Sequence, residues 1–488
     1  MDNTVHWLEP VAPHPTSPTQ HIEAGPGIPY LSTPLHERLT ALKNEIDGIA
    51  SIAHWDDAKK ITNPYEYIFL SLQRRMHRSI ASIAPLSRSY FKMIELWDLL
   101  GLSTLPRPTA TAHSAEGPGG FLEAIQDRTS HSTRMVAMTL RSTERSVPGW
   151  RKSAAFLSAH PDVNIIYGAD GTGNLYHLPN QAAFTAAARD IARPGVDLYT
   201  ADGGFDFSTD YNSQENTVQR LLAAEALAGL TTLRTGGVMI LKMFDTKNVA
   251  TLELLWTLSN CFMRTALIKP RTSRPANSER YWVGYGLLGP PLPWVIDLLT
   301  RLTDTDAPTG WNRLFETPPW TLAPASATAW AAPLQAFQEE VERHQYDNIQ
   351  LTLNIIRTPT RAQIQELLLK NIQCSRVWCS RHRIIENRQY AGLRDEQVVS
   401  MNLEEALEPF RAAVSHTSSP APSLPPLTHR GLCVRLPPPP PAGSVWRSAL
   451  PPSILGRSAS QTVAGTPPPS GPAPAVSRAA PSPLPGPL

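Results

Sequence analysis

The sequence predicts an α/β protein built on a doubly wound, mostly parallel sheet with helical flanking regions. Three observations carry that expectation. Short β-rich runs alternate with helical patterns from Thr109 to about Leu288, and such alternation builds a parallel sheet covered on both faces. That stretch is long enough for one such domain. The prolines are segregated: 20 of the 48 fall between Pro420 and Pro487, leaving the rest of the chain free to build a core.

The elements follow in order. Residues 1–34 are rich in Pro, Gly and His without a sustained period, and read as a disordered leader. Residues 35–108 read as a helical approach to the domain. One helix is expected from about Leu35 to Ile52, with Leu39, Leu42, Ile46 and Ile49 at helical spacing. Two more are expected over Ile61–Met76 and Tyr90–Leu100. The domain itself spans 109–288. Its strands are expected at Thr109–Ser114, Arg134–Leu140, Val163–Gly168, Val196–Ala201, Gly237–Phe244, Ala266–Pro270 and Tyr281–Leu287, with the clearest helix at Thr217–Leu233. Residues 289–413 read as mainly helical. Residues 414–488 are a Pro-rich tail with runs such as Pro437–Pro441, which favour polyproline conformations and build no core.

Charge and cysteine content narrow the function classes. The formal charge is +2, but residues 420–487 hold five Arg and no Asp, Glu or Lys, which leaves residues 1–419 at −3. Nucleic-acid contact must therefore come from a local patch. Four scattered Cys build no disulfide scaffold and suit a reducing compartment. No apolar run reaches the ~18 residues of a membrane span, and the first residues lack a secretory layout. The expectation is an intracellular protein, nucleus or cytoplasm undecided, with no membrane partner.

Three motifs stand at expected strand ends, where open α/β sheets bind ligands. The first is Ala115-Glu116-Gly117-Pro118-Gly119-Gly120-Phe121. Glycines there let backbone approach a ligand and open a helix N-terminus. The spacing is not Gly-x-Gly-x-x-Gly, which disfavours a nicotinamide cofactor. The second is Ala201-Asp202-Gly203-Gly204-Phe205-Asp206, and the third is Ser273-Arg274-Pro275-Ala276-Asn277-Ser278-Glu279-Arg280-Tyr281. Together they resemble FtsJ-like RNA 2′-O-methyltransferases. The nine-residue stretch, with Asn63-Pro64-Tyr65-Glu66 upstream, resembles the eukaryotic and large-DNA-virus branch that makes cap-1 mRNA.

The resemblance implies a Rossmann-like methyltransferase fold, S-adenosylmethionine as cofactor and capped RNA as partner. It also implies a catalytic set of Lys92, Asp202, Lys242 and Glu279. For the cofactor it implies Glu116, Gly117, Pro118, Gly119, Gly120 and Phe121 at the methionine and ribose end, with Asp202 nearby. Thr139 and Leu140 would meet ribose or adenine, and Asp170 the adenine amino group. Asp206 and Asn212 are looser candidates. The family pattern calls for an apolar strand before the glycine loop, whereas Thr109–Ser114 is polar.

The residues support this on their own chemistry. Lys242 sits among Val238, Met239, Ile240, Leu241, Met243 and Phe244, where a charge is costly unless paired or used. Burial and a neighbouring lysine are expected to push its pKa down toward that of a general base, with Asp202 and Glu279 pulling it back. A ribose hydroxyl must lose its proton as it attacks, so Lys242 is the expected base, with Lys92 and Glu279 orienting it.

Lys269, Arg271, Arg274 and Arg280 cluster around the nine-residue stretch and are expected to hold the RNA backbone. Cys374, Cys379 and His382 have no fourth ligand near them, so no metal is expected. The Pro-rich tail is a candidate site for protein partners. The reading is cap-directed 2′-O-methylation of the first transcribed nucleotide. Its alternatives are methylation of uncapped or ribosomal RNA, and a lapsed RNA- or cap-binding scaffold.

Overall fold

The computed structural model describes residues 5–414 except 9, 12–13, 31, 50–51, 71–78, 108, 131, 145–146, 206–211 and 323. Residues 415–488 of the Pro-rich tail and Asp206 lie outside the described residues. The chain runs β1 (His6–Leu8), β2 (Gln20–Ala24), α1 (Pro34–Asp47), α2 (Ile52–Thr62), α3 (Ser89–Leu99), β3 (Thr109–Ser114), α4 (Gly120–Arg128), β4 (Thr133–Met138) and α5 (Ala154–Ala159). It continues through β5 (Val163–Ile166), α6 (Leu178–Ile191), β6 (Val196–Ala201), α7 (Gln214–Thr232), β7 (Leu233–Met243), α8 (Val249–Ser259), β8 (Phe262–Ile268) and β9 (Arg280–Leu287). The last elements are α9 (Pro293–Asp304), β10 (Trp311–Phe315), α10 (Pro324–Arg357), α11 (Arg361–Arg381) and α12 (Asp395–Leu407).

Eight strands form the main sheet in the order β1-β8-β9-β7-β6-β3-β4-β5. The strands from β7 to β5 along that order pair in parallel, while β9, β8 and β1 add antiparallel pairs. Strand order reverses direction at β3 and β6, the switch point where a crevice opens beyond the carboxyl ends.

Alternate side chains divide the core. Leu198, Val238, Ile240 and Val283 face a layer with α3, α4, α11 and α12. Tyr199, Met239, Leu241 and Trp282 face the layer of α6 to α10. This period of two is what the pleat dictates, and it explains why the central strands read as continuous apolar runs.

Two expectations change. The leader is not uniformly disordered: His6–Leu8 is the edge strand on β8, and Gln20–Ala24 pairs with β10. At three and five residues these strands are too short for alternation to register. The expected helix over Ile61–Met76 also fails. Helix α2 ends at Thr62, because Asn63 precedes Pro64 and is steered out of helical geometry. Residues 71–78 lie outside the described set.

Candidate active site

The site begins at the polar strand. All six residues of β3 are buried, and their polar atoms are paired along one line. His113 bridges Thr111 Oγ1 at 2.7 Å through Nε2 and Thr200 Oγ1 at 2.8 Å through Nδ1. Thr200 in turn donates to Glu116 Oε1 at 2.5 Å. Each His113 ring nitrogen thus faces one hydroxyl, and the ring's tautomer sets which of them donates. Burial lowers the His113 pKa to about 3, which keeps the ring neutral. Ser114 Oγ and Tyr199 OH form a second pair at 2.5 Å. The strand is polar because it carries a relay that ends on the glycine loop.

In that loop Gly119 has φ +104°, a left-handed conformation that suits glycine, and its N–H donates to Glu116 O at 2.6 Å. Gly120 is required by packing: a Cβ there would lie 2.3 Å from Ser87 Oγ and 2.4 Å from Ser89 Oγ, at the start of α3. Pro118 O accepts from Ser153 Oγ. A Cβ on Gly117 would lie 2.9 Å from Pro148 O. Phe121 does not face the cleft. It is fully buried beneath the loop, with its ring 5.9 Å from that of Tyr281.

Beside the loop opens a cavity of about 340 Å³ lined by Thr139, Leu140, Arg141, Trp150, Arg151 and Tyr167, among others. Asp170 is not in its lining. Its Oδ1 accepts from Thr172 N, Thr172 Oγ1 and Asn180 Nδ2, and its Oδ2 lies 2.9 Å from His177 Nδ1. Those hydrogen bonds, chiefly from Thr172, hold its carboxyl at about 2. Asp170 organises its own loop, which packs on Thr139 through Gly173 and on Arg141 through Thr172 O. Asn212 bonds Asn44 on the surface.

Register brings the four predicted catalytic residues together. Ala201 on β6 pairs with Leu241 on β7, so Asp202 and Lys242 follow side by side. Lys242 pairs with Tyr281 on antiparallel β9, which returns Glu279 to the same sheet end. Lys242 Nζ donates to Asp202 O at 2.6 Å and lies 3.4 Å from Asp202 Oδ1. Tyr281 OH donates to the same Oδ1 at 2.9 Å. Lys92, from α3, lies 2.8 Å from Glu279.

Electrostatics differ from expectation at Lys242. Burial alone would lower its pKa, but Asp202, Glu279 and Glu225 outweigh that and raise it above the ordinary lysine value. Burial would likewise raise Glu279, and Lys92, Lys242 and Lys269 bring it down to about 2. Glu116 goes the other way: burial, reinforced by Asp202, pushes it well above the ordinary carboxylate range. Glu225 is pushed up to about 8 mainly by burial, and accepts a hydrogen bond from the Gly203 backbone. The site therefore holds two proton-retaining carboxyls beside an ion-paired lysine.

Three of the expected RNA-binding cations, Arg280, Arg274 and Lys269, are engaged within the protein. Arg280 is fully buried and donates to Asp245 Oδ1, Gln338 Oε1, Thr246 Oγ1 and Ser278 O, so it is no RNA contact. Arg274 grips Glu66 with two bonds of 2.8 and 3.1 Å, and Arg88 shares that carboxylate. Lys269 is buried and bonds within its own turn. Arg271 is partly exposed, with its backbone N–H bonded to Glu95 and its guanidinium 3.4 Å from Tyr65 OH. Cys374 and Cys379 are buried thiols, and His382 bonds Asp98 at 2.6 Å.

Sequence reasoning missed Glu225, Tyr281 and the structural role of Glu66. Glu225 had a signal: it is a lone acid inside the apolar run Leu221–Leu230 of a helix. Tyr281 and Glu66 lie inside or beside motifs but resemble ordinary neighbours.

Comparison with known proteins accords with this geometry. A family model described as FtsJ-like methyltransferase matches residues 85–287. A Trypanosoma cruzi protein named cap-specific mRNA (nucleoside-2'-O-)-methyltransferase 1 is 35% identical over 213 residues, which cover 43% of this chain and 57% of that protein. The Homo sapiens protein of that name is 39% identical over 176 residues, covering 35% of this chain and 20% of its own length. The matched stretch thus spans less than two thirds of either relative. Among solved structures, a putative ribosomal RNA methyltransferase from Plasmodium falciparum aligns with 42% of this chain and 99% of its own, at 17% identity and a TM-score of 0.29.

Proposed function

We propose that the FtsJ-like methyltransferase domain carried by residues 85–287 methylates the ribose 2′-oxygen of the first transcribed nucleotide of capped mRNA. One observation carries the reading: Lys92, Asp202, Lys242 and Glu279, drawn from four parts of the chain, meet at one sheet end beside the glycine loop. The names of the trypanosome and human relatives support the cap-directed choice of substrate.

The methyl donor of this domain type, S-adenosylmethionine, supplies an electrophilic methyl group on a sulfonium. The residues present suit it. Glu116 and Asp202 concentrate carboxyl groups where a cationic ligand would relieve their mutual repulsion. Gly119, in its left-handed conformation, lets the loop turn tightly beside them. Thr139, Leu140 and Trp150 line the adjoining cavity.

Lys242 takes the proton of the 2′-hydroxyl at Nζ. In the structure the Asp202 and Glu279 carboxylates hold that nitrogen as an ammonium, so it must first lose a proton. Positive charge held against Asp202 weakens its share of the field that raises Lys242, which is the direction a base needs. Lys92 keeps the Glu279 carboxylate paired and in place. Tyr281 fixes Asp202 through its hydroxyl.

The test is methyl transfer from labelled donor to three matched short RNAs: one with a 7-methylguanosine cap, one with an unmethylated guanosine cap and one with a 5′-triphosphate. Wild type and Lys242→Ala run side by side, with nuclease mapping of the label. Label on the first nucleotide's 2′-oxygen of capped RNA alone, lost in Lys242→Ala, is the expected result. Label on all three RNAs keeps the chemistry and removes the cap. No transfer with RNA binding retained points to a scaffold.

A further inference from the structure

Lys269 follows the end of β8 and opens the turn that leads back to β9. Its side chain is buried, and Nζ makes three hydrogen bonds: to Ser273 Oγ at 3.1 Å, Asn277 O at 2.5 Å and Glu279 O at 2.7 Å. All three partners belong to residues 273–279. The third is the carbonyl of Glu279 itself, whose carboxylate meets Lys92.

The chemistry of this cage is unusual for a lysine. Two carbonyls only accept, whereas the Ser273 hydroxyl accepts or donates. An ammonium fills the cage with three donated bonds. A neutral amine fills it too, giving two N–H groups to the carbonyls and accepting from the Ser273 hydroxyl. Burial draws the Lys269 pKa down to about 7, against Glu279 and with Arg280 and Lys92. Asp245 also faces it, and Tyr65, Arg271, His344, Asp347 and Lys370 line the cavity on its other side. The cage therefore stays closed in either protonation state.

The rest of the turn is anchored to other elements, with the Ser278 hydroxyl donating to Gln214 and the Ala276 carbonyl accepting from Gln345. Arg274 is spent on Glu66, the Arg271 and Thr272 N–H groups on Glu95, and Arg280 on Asp245. Lys269 holds the Glu279 carbonyl from inside the turn, while the Asn277 side chain accepts from the Glu279 N–H.

We propose that Lys269 is a positioning residue for methyl transfer, caging the 273–279 turn so that the Glu279 carboxylate meets Lys92 and Lys242. The kinetic part of this inference rests on the function proposed above. It is tested with Lys269→Met, which keeps bulk and removes every bond, and with Ser273→Ala, which removes one bond. Turnover, donor KM and folded fraction are measured for each. A misplaced carboxylate should lower kcat by about 30-fold in Lys269→Met and about 5-fold in Ser273→Ala, with donor KM within about 2-fold. A kcat per folded molecule within about 2-fold of wild type in both, beside a lower Tm, makes Lys269 merely structural and overturns the inference. If Lys269→Met does not fold, Ser273→Ala decides by the same criterion.

A second readout does not depend on turnover. Nitrogen-15 lysine NMR reports exchange of the Lys92 ammonium, which its pairing with Glu279 slows. Faster Lys92 exchange in Ser273→Ala is expected, and unchanged exchange overturns the inference. Should the wild type transfer no methyl group, the proposed function fails while this readout still judges the cage.

Discussion

The Lys92 ammonium lies 2.8 Å from each carboxylate oxygen of Glu279, although 187 residues separate the two in the chain. Both side chains are largely buried, and the pair is unequal. Lys92 is one of three lysines around Glu279, with Lys242 and Lys269. Glu279→Gln strips all three of a shared anion, whereas Lys92→Met leaves the anion with two cations. Breaking a buried pair costs about 3–5 kcal/mol when one charge is left uncompensated. Glu279→Gln should reach that range in urea unfolding, and Lys92→Met should cost clearly less. Equal losses would contradict the shared-anion arrangement.

The raised pKa of Lys242 has a kinetic signature. A base whose conjugate acid is held above the ordinary lysine value is protonated at neutral pH. The proposed reaction needs the neutral amine, so kcat/KM should climb with pH through pH 9 without a plateau, as expected for free enzyme. Lys242→Ala should lose about 10²–10⁴-fold, the usual worth of a positioned base. A plateau near neutral pH would assign the base elsewhere. The measurement is initial rate of methyl transfer across pH on one RNA.

Much of this site was legible in the sequence, for a physical reason. Lys242 stands out because it interrupts an apolar strand, and Asp202 because it ends one. Strand β7 and helix α7 declare themselves by long buried runs. The buried partners of Arg274 and Arg280 were hidden because an arginine beside a motif looks the same facing solvent or a buried acid. The partner that decides it for Arg274, Glu66, is 208 residues away. The sign of the Lys242 shift was hidden likewise, since its acidic neighbours come from β6, α7 and the start of β9, and their sum depends on tertiary placement. The polarity of Thr109–Ser114 looked out of place because the chain that consumes it, His113 to Thr200 to Glu116, crosses two strands.

Glu225 should make the protein less stable as pH rises. Burial lifts its pKa from 4.5 to about 8. The folded protein then keeps a proton that the unfolded chain releases. This contribution is fully present below pH 4.5 and is lost as pH rises toward 8. A single group of this kind changes stability by at most about 1.4 kcal/mol per pH unit. Glu225→Gln has no proton to lose, so the wild-type-minus-variant difference should fall steadily across that window. Urea unfolding of both proteins from pH 5 to pH 8 gives that difference directly, with other titrating groups cancelling. A flat difference would mean that Glu225 is ionised in the folded state.

Glu116 should couple donor binding to proton release. Its carboxyl is buried, lies beside Asp202 and is held well above the ordinary range, so it keeps its proton to higher pH than a solvated carboxyl does. A cationic donor favours the carboxylate over the acid. Binding S-adenosylmethionine near Glu116 should therefore expel a proton, and affinity should rise with pH below the free-state pKa. Thr200 already donates to one oxygen of the group, which steadies the carboxylate once formed. Calorimetry in buffers of different ionisation enthalpy counts the released protons without any need for turnover. Glu116→Gln should bind more weakly and release fewer protons, because an amide cannot ionise. Equal proton release by wild type and variant would remove Glu116 from the donor site and leave Asp202 as its acidic contact.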